Sequence, residues 1–103
     1  MSMSPMMELE ADIRAALRTV IDPELGHNIV DLGLIYDIEI RRDGVVEVIM
    51  TTTTRFCPAT GFIREAVEAC VSAVPGVKEV SVELTYDPPW GAERMAPEIA
   101  RRF

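Results

Sequence analysis

Nowhere in the chain do about eighteen apolar residues run together, so no segment reads as a membrane-spanning helix. Basic residues are scarce, ten against seventeen acidic for a formal charge of −7, and the pairs Arg41-Arg42 and Arg101-Arg102 stand apart without interleaved aromatics. That excludes the electrostatic footprint of a nucleic-acid binder. The single histidine, His27, and the two cysteines, Cys57 and Cys70, form no His-x-x-x-His or Cys-x-x-Cys pair, so neither a closed zinc site nor a disulfide framework is expected. No G-x-S-x-G elbow, phosphate loop or dinucleotide fingerprint is present. The opening "MSMSPMMELEAD" has no basic n-region or cleavage pattern, and the expectation is a cytoplasmic chain with reduced thiols.

What is present describes an ordinary folded domain. Hydrophobic residues are 49% and charged residues 26% of the chain, and residues 1–103 are expected to form one domain that buries roughly two thirds of its unfolded surface. Ser4-Pro5 offers an N-cap and a first helical proline, after which Leu9, Ile13, Ala16, Leu17 and Val20 recur at helical spacing. Pro23 requires that helix to end by Ile21-Asp22. A connection rich in turn formers, "DPELGHNIVDLGLI", leads to a strand with Leu34, Tyr36, Ile38 and Ile40 on one face and Asp37, Glu39 and Arg41 on the other.

Asp43-Gly44 predicts a two-residue type I′ hairpin turn, with a return strand from Val45 to Thr53. Pro58 suits a first helical position, and Phe62, Ile63, Val67, Cys70, Val71 and Val74 give a second apolar stripe ending at Pro75-Gly76. Val80, Val82, Leu84 and Tyr86 then alternate against Glu79, Ser81, Glu83 and Thr85 before "DPPW". Each strand is apolar on one face only. The predicted class is therefore α+β, a two-layer sandwich in the order α-β-β-α-β with a short C-terminal helix, the second and third strands parallel across a helical crossover. The position of the third strand, beside the first or the second, stays open. Trp90 is expected to plug the core beneath the tail helix.

The stretch "TTTTRFCPATGF" places Cys57 where a strand stops and a helix starts. A cysteine there faces unpaired amide N–H groups and the positive end of the helix dipole, both of which favour the thiolate that binds metal or attacks an electrophile. Arg55, turned inward, adds to this, and the polar-face threonines, Thr53 among them, offer hydroxyls to a sulfur. The other reading is a small residue filling a tight junction. Cys70, between Val67 and Val71, reads as core. Thirteen residues of helix rise about 20 Å, so the two sulfurs cannot share an ion. The hairpin brings the loop before Leu34 toward the end of the return strand, which is expected to set Asp22, Glu24 or Asp31 within about 12 Å of the Cys57 sulfur, near enough to share a site. His27, in the same loop, reads more simply as solvated than as a ligand.

Together, "IDPELGHNIVDLGLIYDIEI" and "TTTTRFCPATGFIREAVEACVSAVPGVKEVSVELTYDPPW" resemble the metal-sulfur cluster assembly factor family, the SufT-like and PaaD-like domain also found in the eukaryotic cytosolic iron-sulfur targeting factor. The resemblance spans about Leu9 to Arg102. It implies a fold like the C-terminal domain of the NifU scaffold, a non-enzymatic role in maturing or delivering iron-sulfur clusters, Cys57 as the functional residue and candidate metal ligand, and an acidic turn at Asp22 and Glu24. The end of the chain at Phe103, without a cysteine-bearing extension, favours the SufT-like over the PaaD-type ring-oxidation reading.

A cluster normally takes four thiolates, so one chain with one suitable cysteine holds none permanently. A transient cluster is expected, with further ligands from a scaffold or client protein or from a second copy in a homodimer. The alternatives are a cysteine-dependent redox protein, which lacks a resolving thiol in reach, and a plain interaction module.

Overall fold

The computed structural model describes residues 5–54 and 57–102. The cap expected at Ser4 lies outside them. Helix α1 (Pro5–Leu17) buries Ile13 and Leu17 completely and half-buries Leu9 and Ala16. It ends earlier than Pro23 demands, where the Thr19 hydroxyl donates to the Ala16 carbonyl at 2.6 Å and tightens the last turn. Val20 still reaches the core beyond the helix.

Strands β1 (Ile35–Ile40), β2 (Val45–Met50) and β3 (Glu79–Leu84) form one sheet in the order β1-β2-β3. The central β2 is antiparallel to β1 and parallel to β3, with helix α2 (Thr60–Ser72) as the crossover. This places the third strand beside the second. Val46, Val48 and Met50 on β2 and Ile63, Val67 and Val71 on α2 meet Ile13 and Leu17 in a single core on one face of the sheet. Helix α1 lies over β1 and α2 over β3, as one-sided strands require.

Four local expectations are corrected. The hairpin has three connecting residues, Arg42, Asp43 and Gly44: Gly44 N–H donates to Arg41 O at 3.1 Å and Arg41 N–H to Val45 O at 2.9 Å. A type I′ turn needs two positive φ angles, and only Gly44 has one, at 87°. Tyr36 does not face the core. Ile35 pairs with Met50 and Asp37 with Ile49, so Tyr36 is the extra residue of a bulge, and its side chain is re-aimed outward to donate to Pro88 O at 2.9 Å. β2 stops at Met50 rather than Thr53: after one further rung from Thr51 N–H, the Thr51 and Thr52 hydroxyls turn to the carbonyls of Thr52 and Thr54. Cys70 is half-buried, and Phe62 is 63% exposed, so neither belongs to the closed core.

The C-terminal segment straps the connection between α1 and β1. Trp90 is half-buried against the core and donates Nε1–H to Leu32 O at 2.8 Å, as befits a plug with a polar tip. Ala96 N–H donates to Asp31 O at 2.7 Å, and the Arg94 guanidinium stacks 4.5 Å from the Tyr36 ring centre. A 3-10 turn (Ala92–Arg94) and the one-turn helix α3 (Pro97–Ala100) complete the strap, with Met95 and Ile99 buried. Gly33 sits beneath it at φ 77°, where an added Cβ would lie 2.2 Å from the Arg94 carbonyl oxygen. Gly33→Ala therefore combines a left-handed backbone with a collision, and a loss of about 2 kcal/mol or more in urea unfolding is the expected result.

Candidate functional site

The connection from Arg18 to Leu34 holds no regular element, yet it is ordered by its own hydrogen bonds. Ile29 N–H donates to Val20 O and Asp22 N–H to His27 O, both at 3.0 Å, closing a narrow loop. Inside it Asp22 is 1% exposed, and its Oδ1 accepts the N–H groups of Glu24 at 2.8 Å and Leu25 at 3.2 Å. This is an Asx cap on a single turn. Asn28 repeats the device one step on, accepting Asp31 N–H at Oδ1 and donating from Nδ2 to Asp31 Oδ2, each at 2.9 Å.

On the opposite side, the chain leaving β2 reaches Cys57 and turns into α2. The Cys57 carbonyl accepts both the N–H of Thr60, at 3.2 Å, and its hydroxyl, at 2.8 Å. The helix thus starts at Thr60 with Ala59 as N-cap, and Pro58 belongs to the turn before it. Cys57 stands two residues ahead of the cap, farther from the dipole's positive end than the sequence suggests.

The two loops meet at one contact. The Cys57 thiol, 7% exposed, points at Glu24 Oε1 across 3.9 Å, a weak donor to a strong acceptor. Glu24 itself is exposed to solvent. One soft donor and one hard donor are therefore adjacent, one buried and one reachable from outside.

The remaining sequence candidates are placed differently. Asp22 does not offer its carboxylate outward; it shapes the turn that carries Glu24. Asp31 faces Asn28 and Arg18, the latter at 3.7 Å, and lies under the C-terminal strap. Thr53 is half-buried in a separate polar hollow of about 680 Å³ with Thr52, Thr54, Tyr86 and Trp90. Arg55 lies outside the described residues. His27 contributes its backbone carbonyl to the Asp22 loop. Among the described residues no three His, Cys, Asp or Glu side chains converge on a position for a metal ion.

Sequence reasoning missed Thr60, which fixes the Cys57 turn, and the exposure of Phe62 and Ile21. The spacing Phe62, Ala66, Ala69, a second stripe beside the core one, carried that signal. Cys70 donates to Val67 O at 3.5 Å on the wall of an apolar groove, and burial pushes its thiol above the ordinary value against a smaller opposing pull from its backbone hydrogen bonds.

Residues 10–84 match the family described as iron-sulfur cluster assembly protein. The chain is similar to an Fe-S protein maturation auxiliary factor of Porphyromonas gingivalis, 47% identical over 89% of this chain and 88% of that one. It superposes on a solved domain of unknown function from Bacillus anthracis with a TM-score of 0.88 at 38% identity, covering 93% and 92% of the two chains. It is also 43% identical, over 75% of its length, to a segment that makes up only 20% of an iron-sulfur cluster carrier protein of Mycobacterium tuberculosis.

Two outcomes are expected. Asp22→Ala should destabilise by about 1–2 kcal/mol through loss of the cap, while Asp22→Asn, which keeps the acceptor oxygen, should stay near wild type in chemical denaturation. For Cys70, the raised folded-state pKa means that the unfolded chain releases the proton first as pH rises. The stabilisation from Cys70 is full below the unfolded thiol pKa of about 8.5 and drains away above it. Urea midpoints of wild type and Cys70→Ala, compared from pH 7 to 10, should therefore shift against wild type as pH increases.

Proposed function

The chain belongs to the iron-sulfur cluster assembly protein family, and from that premise we propose that Cys57 and Glu24 form its point of contact with a cluster in transit. As an auxiliary factor of cluster assembly it handles the cluster as cargo. The observation that carries the reading is the 3.9 Å approach of the Cys57 thiol to the Glu24 carboxylate.

A thiol becomes a metal ligand only as thiolate, so its proton needs a nearby acceptor when iron arrives. Glu24 is that acceptor. As the iron–sulfur bond to Cys57 forms, a bond from iron to a ligand on the donor protein breaks, and the thiol proton passes to the carboxylate. No electron changes hands. Burial shields the thiol from oxidants between deliveries, while the exposed carboxylate leaves the site approachable.

One thiolate from one chain leaves most of the coordination of a cluster to other molecules. The cargo is then held only while a second protein takes part, which suits delivery rather than storage. The Mycobacterium tuberculosis carrier supports a choice of that second protein, since it holds a domain like this one within the same polypeptide. Where such a domain and a carrier are separate polypeptides, the two would meet in solution.

The test is cluster transfer from a loaded carrier to an apo client of the same cell, followed by visible circular dichroism. Cys57→Ser should abolish the contribution of this protein, and Glu24→Gln should slow it by roughly tenfold, the usual scale for losing a group that supports a ligand. Transfer by Cys57→Ser at the wild-type rate would refute the reading.

A further inference from the structure

Ile21 and Phe62 are two of the four large hydrophobic side chains that stand exposed among the described residues, at 47% and 63%. Both line one groove of about 530 Å³ between the α1–β1 connection and α2, with Val20, Ala66, Ala69 and Cys70 completing an apolar wall. A hollow of that size lies in the range that receives ligand groups or partner side chains. Burial keeps the Cys70 thiol protonated at neutral pH, so the wall carries no charge there. The other two exposed hydrophobics, Met6 and Met7, line a separate hollow of about 220 Å³ against β1.

Two of the groove's residues lie close in sequence to the site. Ile21 directly precedes Asp22, the residue that holds the Glu24 turn, and Phe62 is in the first turn of the helix that Cys57 leads into. Each edge of the sheet has a backbone group already bonded. At the β1 edge the outward N–H of Ile38 is taken by its neighbour Asp37 at 2.9 Å, and at the β3 edge Arg64 donates to Val82 O at 3.0 Å. Added strands find those groups occupied. Two copies of a chain carrying −7 repel one another as they approach, which disfavours a second copy in a contact this small.

We propose that the Ile21–Phe62 groove is the docking surface for the cluster carrier, which seats an apolar segment there while its cluster faces Cys57. The proposal rests on the reading of Cys57 as the transfer point, and deepens it by assigning where the carrier binds. Docking in the groove raises the effective concentration of the carrier's cluster at the sulfur without any covalent step.

The experiment measures binding of the purified, cluster-loaded carrier from the same cell to wild type and four variants by calorimetry, with sedimentation of each variant alone. Phe62→Ser and Ala69→Arg should weaken binding by roughly tenfold or more, as expected for an anchor at the centre of a contact. Both positions are exposed, so unchanged thermal melts should accompany the loss. Met7→Ser, in the other hollow, should bind like wild type. Cys57→Ser should bind the cluster-free carrier like wild type while failing to transfer from the loaded one, which separates docking from chemistry. Wild-type affinity in both groove variants would overturn the docking surface and leave the role of Cys57 standing. A groove variant that instead converts a dimer of this chain to monomer would overturn it too, by assigning the groove to a second copy.

Discussion

Thr51 N–H donates to Leu34 O at 2.9 Å, one rung beyond the last residue of β2 and just ahead of the first of β1. Antiparallel pairing makes the start of one strand the neighbour of the other's end, so this rung joins the long connection before β1 to the short one after β2. The 33 positions between Glu24 and Cys57 are closed by that geometry. Everything assigned to the site depends on it. Asp22 aims Glu24, Thr60 holds the carbonyl of Cys57, and neither device would matter if the sheet did not bring their loops to the same end.

The parts of this arrangement legible in the sequence are those with a period or a covalent rule. The stripes of α1 and α2 follow from apolar spacing, the strands from alternation, and the approach of the acidic turn to Cys57 from hairpin geometry alone. What was hidden depends on competition between local hydrogen bonds and the ladder. Four consecutive threonines favour a strand by propensity, but the hydroxyls of Thr51 and Thr52 turn to nearby carbonyls, and β2 ends at Met50. Tyr36 fits the alternating pattern perfectly and still leaves it, because a one-residue bulge cannot be read from side chains. For Asp22 the sequence offers both an Asx turn and a site carboxylate, and the N–H groups of Glu24 and Leu25 select the turn.

The uncovered face of the sheet has a different character from the groove. Asp37, Glu39, Glu47, Glu79 and Glu83 share it, with Glu39 directly opposite Glu47 across the first ladder. Like charges facing each other weaken a sheet slightly. The arrangement disfavours stacking of the exposed three-stranded face on another copy, and one group on each edge is already bonded, which leaves the helical side the more open to association. Specificity of approach here comes as much from what is forbidden as from what is apolar.

The C-terminal strap gives the Glu24 loop a further property. Leu32 and Asp31 lend their carbonyls to Trp90 and Ala96, so residues at the far end of the chain complete the hydrogen bonding of the connection that carries the carboxylate. Neither segment has a regular partner of its own in the sheet. Both segments also reach the common core, Ile29 and Leu32 from the loop and Met95 and Ile99 from the tail being buried there. Release of the tail would strip two carbonyls of that loop of their donors, so a change far along the chain is felt at the turn that presents Glu24.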